Sequence, residues 1–180
     1  TQVVAATTTA YYRQALLRGD DGSIYTLTVQ NTSGGLILSK YSAAGALLTK
    51  ADIDTSSTSY RAHQIFFLSN GSICVFASSS SPYTIRFAIY DTNLTAIKSM
   101  TTIATALSAY SSACALSGGG FAVVFQPSAT PLLSQLVTYD NLGDAVLPAT
   151  TIWTRTGTSG AQYHRLAQLS DGNLVVTASS

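Results

Sequence analysis

An all-β protein of short antiparallel strands is what this sequence predicts, and three observations carry the prediction. All eight acidic residues are Asp, Glu is absent and Met occurs once, whereas Ser and Thr together fill 48 of 180 positions. Long helices draw on Glu, Lys and Met, in which the chain is poor. What alternates between Gly, Asn, Asp and Ser clusters is Thr, Val, Ile, Tyr and Phe, the composition of strands joined by turns. The third observation is a period: Tyr41, Tyr90 and Tyr139 lie 49 and 49 residues apart, a spacing that marks stacked repeats.

Each Tyr of that series closes an apolar stretch and precedes a turn: Gly35-Leu-Ile-Leu-Ser-Lys-Tyr41, Ile85-Arg-Phe-Ala-Ile-Tyr90 and Gln135-Leu-Val-Thr-Tyr139. A second marker recurs in phase, a turn glycine at Gly22, Gly71, Gly119 and Gly172, separated by 49, 48 and 53 residues. A third is Tyr12, Tyr60, Tyr110 and Tyr163, at intervals of 48, 50 and 53. Asn-Gly and Asp-Gly between apolar runs supply the positive φ angles that a tight hairpin needs. The second unit therefore reads as strands over 62–68, 72–78, 84–90 and 96–103, with turns at Asn70-Gly71, Ser79–Pro82 and Asp91–Thr95. One small four-stranded antiparallel sheet cannot bury both its faces alone and must stack on its neighbours, which is the blade of a β-propeller.

Blades are expected at 11–59, 60–109 and 110–162 of a single domain spanning 1–180. Residues 163–180 match only the first two strands of a unit and 1–10 match the fourth, so the two ends together form an incomplete blade. About three and a half blades are present by this count. Two closures stay open: an excised stretch of a longer ring of roughly five to eight blades, or a four-bladed ring whose last blade is shared between the ends. The ending Val175-Val-Thr-Ala-Ser-Ser180, without a polar cap, and the start at Thr1 point to the excised stretch.

These segments resemble bacterial and phage repeat propellers in which an L-x-[DN]-G-x-hydrophobic-x-V hairpin precedes a hydrophobic-x-Y-[DN] strand end. The matching stretches are Leu68-Ser-Asn-Gly-Ser-Ile-Cys-Val75 with Ile89-Tyr90-Asp91, Leu116-Ser-Gly-Gly-Gly-Phe-Ala-Val123 with Thr138-Tyr139-Asp140, and Leu169-Ser-Asp-Gly-Asn-Leu-Val-Val176. The first unit departs from the pattern: Leu17-Arg-Gly-Asp-Asp-Gly22 reads as longer, and Lys40-Tyr41-Ser42 lacks the Asp. The resemblance spans nearly the whole chain, but it is architectural. Propellers serve as enzymes, lectins, adhesins and scaffolds, so the fold names no activity.

A formal net charge of +1 with nine basic residues argues against nucleic acid and against a polybasic membrane site, both of which need clustered Lys and Arg. No apolar run is long enough for a membrane-spanning helix, and no membrane insertion is expected. The first strand of a blade lies innermost, so its start borders the central channel. That places the candidate ligand-binding residues at Tyr12, Arg13, Tyr60, Arg61, His63, Tyr110, Tyr163, His164 and Arg165, with Ser111 beside them. Tyr is an amphipathic plate and Arg a planar fork, a combination that stacks sugars or holds anions. The plainer reading makes these tyrosines inter-blade packing and the arginines solvated edge charges.

No metal, cofactor or catalytic residue is expected. His63 and His164 have no third or fourth ligand at metal spacing, and no Gly-x-Ser-x-Gly elbow occurs. Cys74 and Cys114 read as small buried hydrophobes, with a disulfide between adjacent blades as the alternative. Asp52-Ile-Asp54-Thr resembles half a calcium loop without its remaining carboxylates, and reads as a solvated turn between blades. Asn31, Asn70 and Asn93 open Asn-x-Ser/Thr triplets, frequent by chance in so Ser/Thr-rich a chain, and Gly118-Gly119-Gly120 is a turn rather than a phosphate loop. The expected function is a non-catalytic structural or adhesive module of a phage virion, in its tail or on its surface, or of a secreted bacterial surface protein, located on the virion or outside the cell. Its partners would be other virion or cell-surface proteins, glycans, or further copies in an oligomer. A carbohydrate-binding, lectin-like propeller is the alternative, and a hydrolase using the channel a third reading.

Overall fold

The computed structural model of the chain describes residues 11–30, 35–55, 60–79, 83–106, 110–128, 133–156 and 163–179, and for 11–14, 30 and 61–63 the backbone alone. Every regular element among them is a strand: β1 (Tyr11–Arg18), β2 (Ile24–Gln30), β3 (Leu36–Tyr41), β4 (Leu47–Asp54), β5 (Tyr60–Phe67), β6 (Ile73–Ser79), β7 (Thr84–Tyr90), β8 (Ala96–Thr105), β9 (Ser112–Ala115), β10 (Phe121–Phe125), β11 (Leu133–Tyr139), β12 (Ala145–Thr154), β13 (Tyr163–Gln168) and β14 (Leu174–Ser179). They form antiparallel meanders β1–β4, β5–β8 and β9–β12, followed by the hairpin β13–β14. The repeated four-stranded sheets and the two-stranded remainder agree with the spacing of the Gly and Tyr landmarks. Residues 1–10, matched to a fourth strand by sequence, lie outside the described residues.

The recurring motif residues build the turns. In each turn between first and second strands the glycine N–H donates to the carbonyl three residues back: Gly22 to Gly19, Gly71 to Leu68, Gly119 to Leu116 and Gly172 to Leu169. Gly19 thus occupies the place of the leucine, and the first unit's turn, which read as longer, has the same length as the rest. The side chains of Asp21, Asn70 and Asp171 each accept the backbone N–H two residues on, at 2.9–3.0 Å. The third unit has Gly118 at that position, and there Asn141 Oδ1 reaches across to take the Gly120 N–H at 2.7 Å. The residue after the strand-end tyrosine caps the other turn. Asp91 Oδ1 accepts the N–H groups of Asn93 and Thr95, and Asp140 Oδ1 those of Leu142 and Asp144. Ser42 Oγ substitutes with one bond, from Ala46 N–H at 3.1 Å, so the missing Asp costs the first unit a bond but not the turn.

Alternation decides how the sheets stack. Along β6, Ile73, Val75 and Ala77 face a core shared with Tyr25, Leu27, Val29, Leu36 and Leu38 of the first sheet. Their neighbours Cys74 and Phe76 face a second core shared with Phe121, Val123 and Phe125 of the third. β10 divides the same way, since Ala122 and Val124 turn to Leu166 and half-buried Leu174 and Val176 of the hairpin. The middle sheets are therefore covered on both faces. Their second strands are buried throughout, whereas β14 alternates between half-buried and exposed. First strands meet in chain order, β1 with β5, β5 with β9 and β9 with β13. Apolar burial at roughly 25 cal/mol per Å² makes these seams the main source of stability.

The outermost strands carry bulges. Opposite Tyr41, Tyr90 and Tyr139, one extra residue enters each of β4, β8 and β12, and a further bulge lies near Ile53, Ile103 and Ile152. Extra residues make β8 and β12 ten residues long, which is why β8 runs to Thr105 rather than ending at residue 103. Bulged edges also resist pairing with other chains.

Candidate functional site

Side chains of Tyr12, Arg13, Arg61 and His63 fall outside the described residues, although their backbones lie on β1 and β5. The remaining candidates separate into two sets of contacts.

Tyr60 opens β5 and is buried between the first and second sheets. Its hydroxyl donates to Asp54 Oδ2 at the end of β4, and Arg86 Nη1 of β7 donates to the same oxygen at 3.0 Å. Burial and the adjacent carboxylate push the Tyr60 hydroxyl well above its ordinary range. Asp54 is accordingly not in a solvated turn. Its side chain is held inside the seam, where two donors satisfy it and Arg86 balances its charge. Asp54 and Arg86 were not among the candidates: alternation puts Arg86 opposite Ile85 and Phe87, which face the second core, and so toward the first seam of a sheet covered on both faces, while a bulge at Ile53 interrupts the alternation next to Asp54.

Tyr110, Tyr163, His164 and Arg165 gather where β9 and β11 meet β13. The Tyr110 and Tyr163 rings stack with centroids 3.9 Å apart and planes 30° apart. Tyr163 is 46% exposed, and its hydrogen bond with Tyr110 holds its hydroxyl above the usual value. The next residue points the opposite way, as alternation requires. His164 is fully buried, with Nδ1 3.1 Å from the Tyr110 carbonyl and Nε2 2.9 Å from Ser134 Oγ of β11. A carbonyl can only accept, so Nδ1 carries the proton, and the free lone pair on Nε2 takes the Ser134 hydroxyl hydrogen. Burial lowers the His164 pKa, outweighing the opposite effect of the Tyr110 carbonyl, and the ring is neutral. Arg165 returns to the exposed side and donates from Nη1 to the His164 carbonyl at 2.9 Å.

The Ser134–His164 pair has the bond that activates a nucleophilic serine. Ser134 is 1% exposed and His164 not at all, so the pair in this arrangement is a joint between β11 and β13. Ser134 was not among the candidates, and no motif in sequence pairs it with a histidine thirty positions on. Ser111 Oγ is buried and has no hydrogen-bond partner among the described residues.

Cys74 and Cys114 are free thiols. Cys74 turns to the seam between the second and third sheets and Cys114 to that between the third and the hairpin. Cys74 is therefore the small buried hydrophobe expected, Cys114 is only half-buried, and the alternative disulfide is not formed. Burial raises both thiol pKa values. Among the described residues no group of three His, Cys, Asp or Glu is arranged to hold a metal. No protein-family model matches the chain, and comparison with curated proteins finds no match.

Proposed function

We propose that the chain is a non-catalytic structural and adhesive module with its sheets arranged about an axis as the blades of a β-propeller. The observation that carries the reading is the in-phase covering of the second and third sheets on both faces, each seam made by equivalent residues of successive repeats. Stacked units related by one constant step are how a propeller buries its sheets. A structural role is supported by the inner-strand residues: Tyr60 is spent on Asp54 beside Arg86, and His164 on Ser134 and Tyr110. A chain of near-zero net charge, rich in Ser and Thr, suits a virion or extracellular display platform that binds other surface proteins through loops and a few aromatic anchors. Solution scattering should give the compact profile of sheets around an axis, and an elongated stack would overturn the propeller. Binding to arrayed surface proteins, with silence on a glycan array, is the result expected of the platform.

The carbohydrate-binding alternative is favoured by one feature, the half-exposed Tyr163 plate backed by Tyr110, with Arg165 on the same side of β13. A glycan-array signal abolished in Tyr163→Ala would replace the platform reading with this one.

A further inference from the structure

Three sheets have four strands and the fourth has two, leaving β14 paired with β13 on one edge only among the described residues. Between the face that β14 turns to the third sheet and strands β11 and β12 runs a groove of about 520 Å³, lined by Ser134 and Leu136 of β11, Ile152 and Trp153 of β12, and Leu174, Val176 and Ala178 of β14. The repeat identifies what kind of element covers such a floor. Ile53 of β4 packs into the core shared with the second sheet, and Ile103 of β8 into the core shared with the third. Ile152, 49 residues after Ile103, is 40% exposed, and Trp153 beside it is 46% exposed. Along β12 every residue is exposed, unlike β4 and β8. At the equivalent places in the first two seams, the following sheet's strands do the covering.

We propose that this groove is a strand-acceptor site and that its occupant is the chain's own segment 1–10, lying along the free edge of β14 over Ile152 and Trp153. The proposal rests on the propeller reading, because only sheets set around an axis bring the start of the chain near the fourth sheet. Two properties of Thr1-Gln-Val-Val-Ala-Ala-Thr-Thr-Thr-Ala10 select it. It has no charged residue and so can enter a groove that no charged side chain lines without desolvating an ion, and its Val and Thr residues favour an extended strand. Its chain position is that of a fourth strand, since β4, β8 and β12 each immediately precede the first strand of the next sheet and 1–10 immediately precede β1; with no third strand in the last sheet among the described residues, the edge it meets is that of β14. An open edge gains backbone hydrogen bonds from an added strand, and the groove takes alternate side chains.

Trp153 is the single tryptophan and reports directly on the groove. In the full chain its emission should be blue-shifted and shielded from acrylamide, and Val3→Asp/Val4→Asp should shift it to the red and raise the quenching constant. A synthetic peptide of residues 1–10 added to that variant should restore the shielding with saturation at one peptide per chain, which also demonstrates that the variant is folded. Equal emission and quenching in the two proteins would overturn the proposal. So would shielding that grows with protein concentration, since a second copy would then be the occupant. Scattering on the same samples separates the two readings: an elongated stack with Trp153 shielded retains the strand and rejects the ring, and a compact ring with Trp153 open to quencher does the reverse.

Discussion

His164→Gln tests whether the buried imidazole is the neutral joint between the third sheet and the hairpin. Glutamine has comparable reach, keeps an N–H for the Tyr110 carbonyl and does not titrate. Above pH 7 the variant should therefore lose only about 1 kcal/mol, the net worth of an imperfectly replaced hydrogen bond. Acid is where the two proteins diverge. In the unfolded chain the histidine protonates near its ordinary value of about 6.5, while the folded pKa is lowered by burial. Between those values the unfolded state binds the extra proton, so stability is full above the unfolded pKa and is lost as the pH falls from there through the folded one. The slope reaches at most about 1.4 kcal/mol per pH unit for one proton. Surrounding groups do not offset this. Ser134 does not titrate, and the Tyr110 carbonyl, which favours the charged ring, is outweighed by burial. Urea unfolding followed by Trp153 emission at stepped pH between 8 and 5 reads the difference, and His63, present in both proteins, cancels. Wild type should fall toward the variant as the pH drops. Parallel loss in the two proteins would refute the neutral, buried assignment.

Other substitutions probe the seams and turns. Gly120→Ala places a Cβ 1.8 Å from the Tyr139 carbonyl oxygen at a φ of +77°, and should lower stability by at least about 2 kcal/mol. Gly71→Ala, at nearly the same φ of +82° with nothing within 4 Å, should lose only about 1 kcal/mol, so thermal unfolding of the pair separates collision from backbone strain. Leu94 has a φ of 65° at the turn position that Gly45 and Gly143 fill elsewhere, and its side chain is buried in the first seam. Leu94→Gly should relieve about 1 kcal/mol of strain and lose about 2 kcal/mol of burial, a net destabilisation visible in the urea midpoint. Asp54→Asn removes the carboxylate beside Tyr60 and should bring the Tyr60 hydroxyl down toward its ordinary value, measured by phenolate absorbance, while leaving Arg86 without its counter-ion.

The turns were legible in sequence because their chemistry is local. Gly at positive φ, and Asp, Asn or Ser two or four residues before a free N–H, need only near neighbours, and the motif marks them. At Gly19 the pattern misleads, because the first unit supplies a glycine where the others have leucine, which shifts the apparent anchor to Leu17. The length of β8 and β12 was not legible, since bulges leave no compositional trace beyond one more apolar residue. The site was legible in part. Tyrosine spacing locates Tyr60, Tyr110 and Tyr163, but similar spacing does not mean equal surroundings: one is bound to a carboxylate in a seam and the other two lean on each other. Asp54 was read as solvated because carboxylates usually are, and only its distant partners, Tyr60 and Arg86, show otherwise. Ser134 lies thirty residues from His164, a contact created wholly by stacking.

Second strands also record each sheet's place in the stack. β6, Ile-Cys-Val-Phe-Ala-Ser-Ser, and β10, Phe-Ala-Val-Val-Phe, open on unbroken apolar runs and belong to the sheets covered on both faces. β2, Ile-Tyr-Thr-Leu-Thr-Val-Gln, alternates, burying Tyr25, Leu27 and Val29 and leaving Ile24, Thr26 and Thr28 half-buried on its other face. The outward face of β14 is Val175, Thr177 and Ser179. Faces rich in threonine and serine are tolerable to water, so the end sheets are held less firmly than the middle ones, where the rings of Phe87, Phe121 and Tyr139 lie 4.9–5.0 Å apart. Hydrogen exchange should accordingly be fastest in β1–β2 and β13–β14 and slowest in β6 and β10, because an amide opens with the free energy of the seams that bury it. Uniform protection across all four second strands would mean that the end faces are as deeply covered as the middle ones, and the gradient read from their threonines would be wrong.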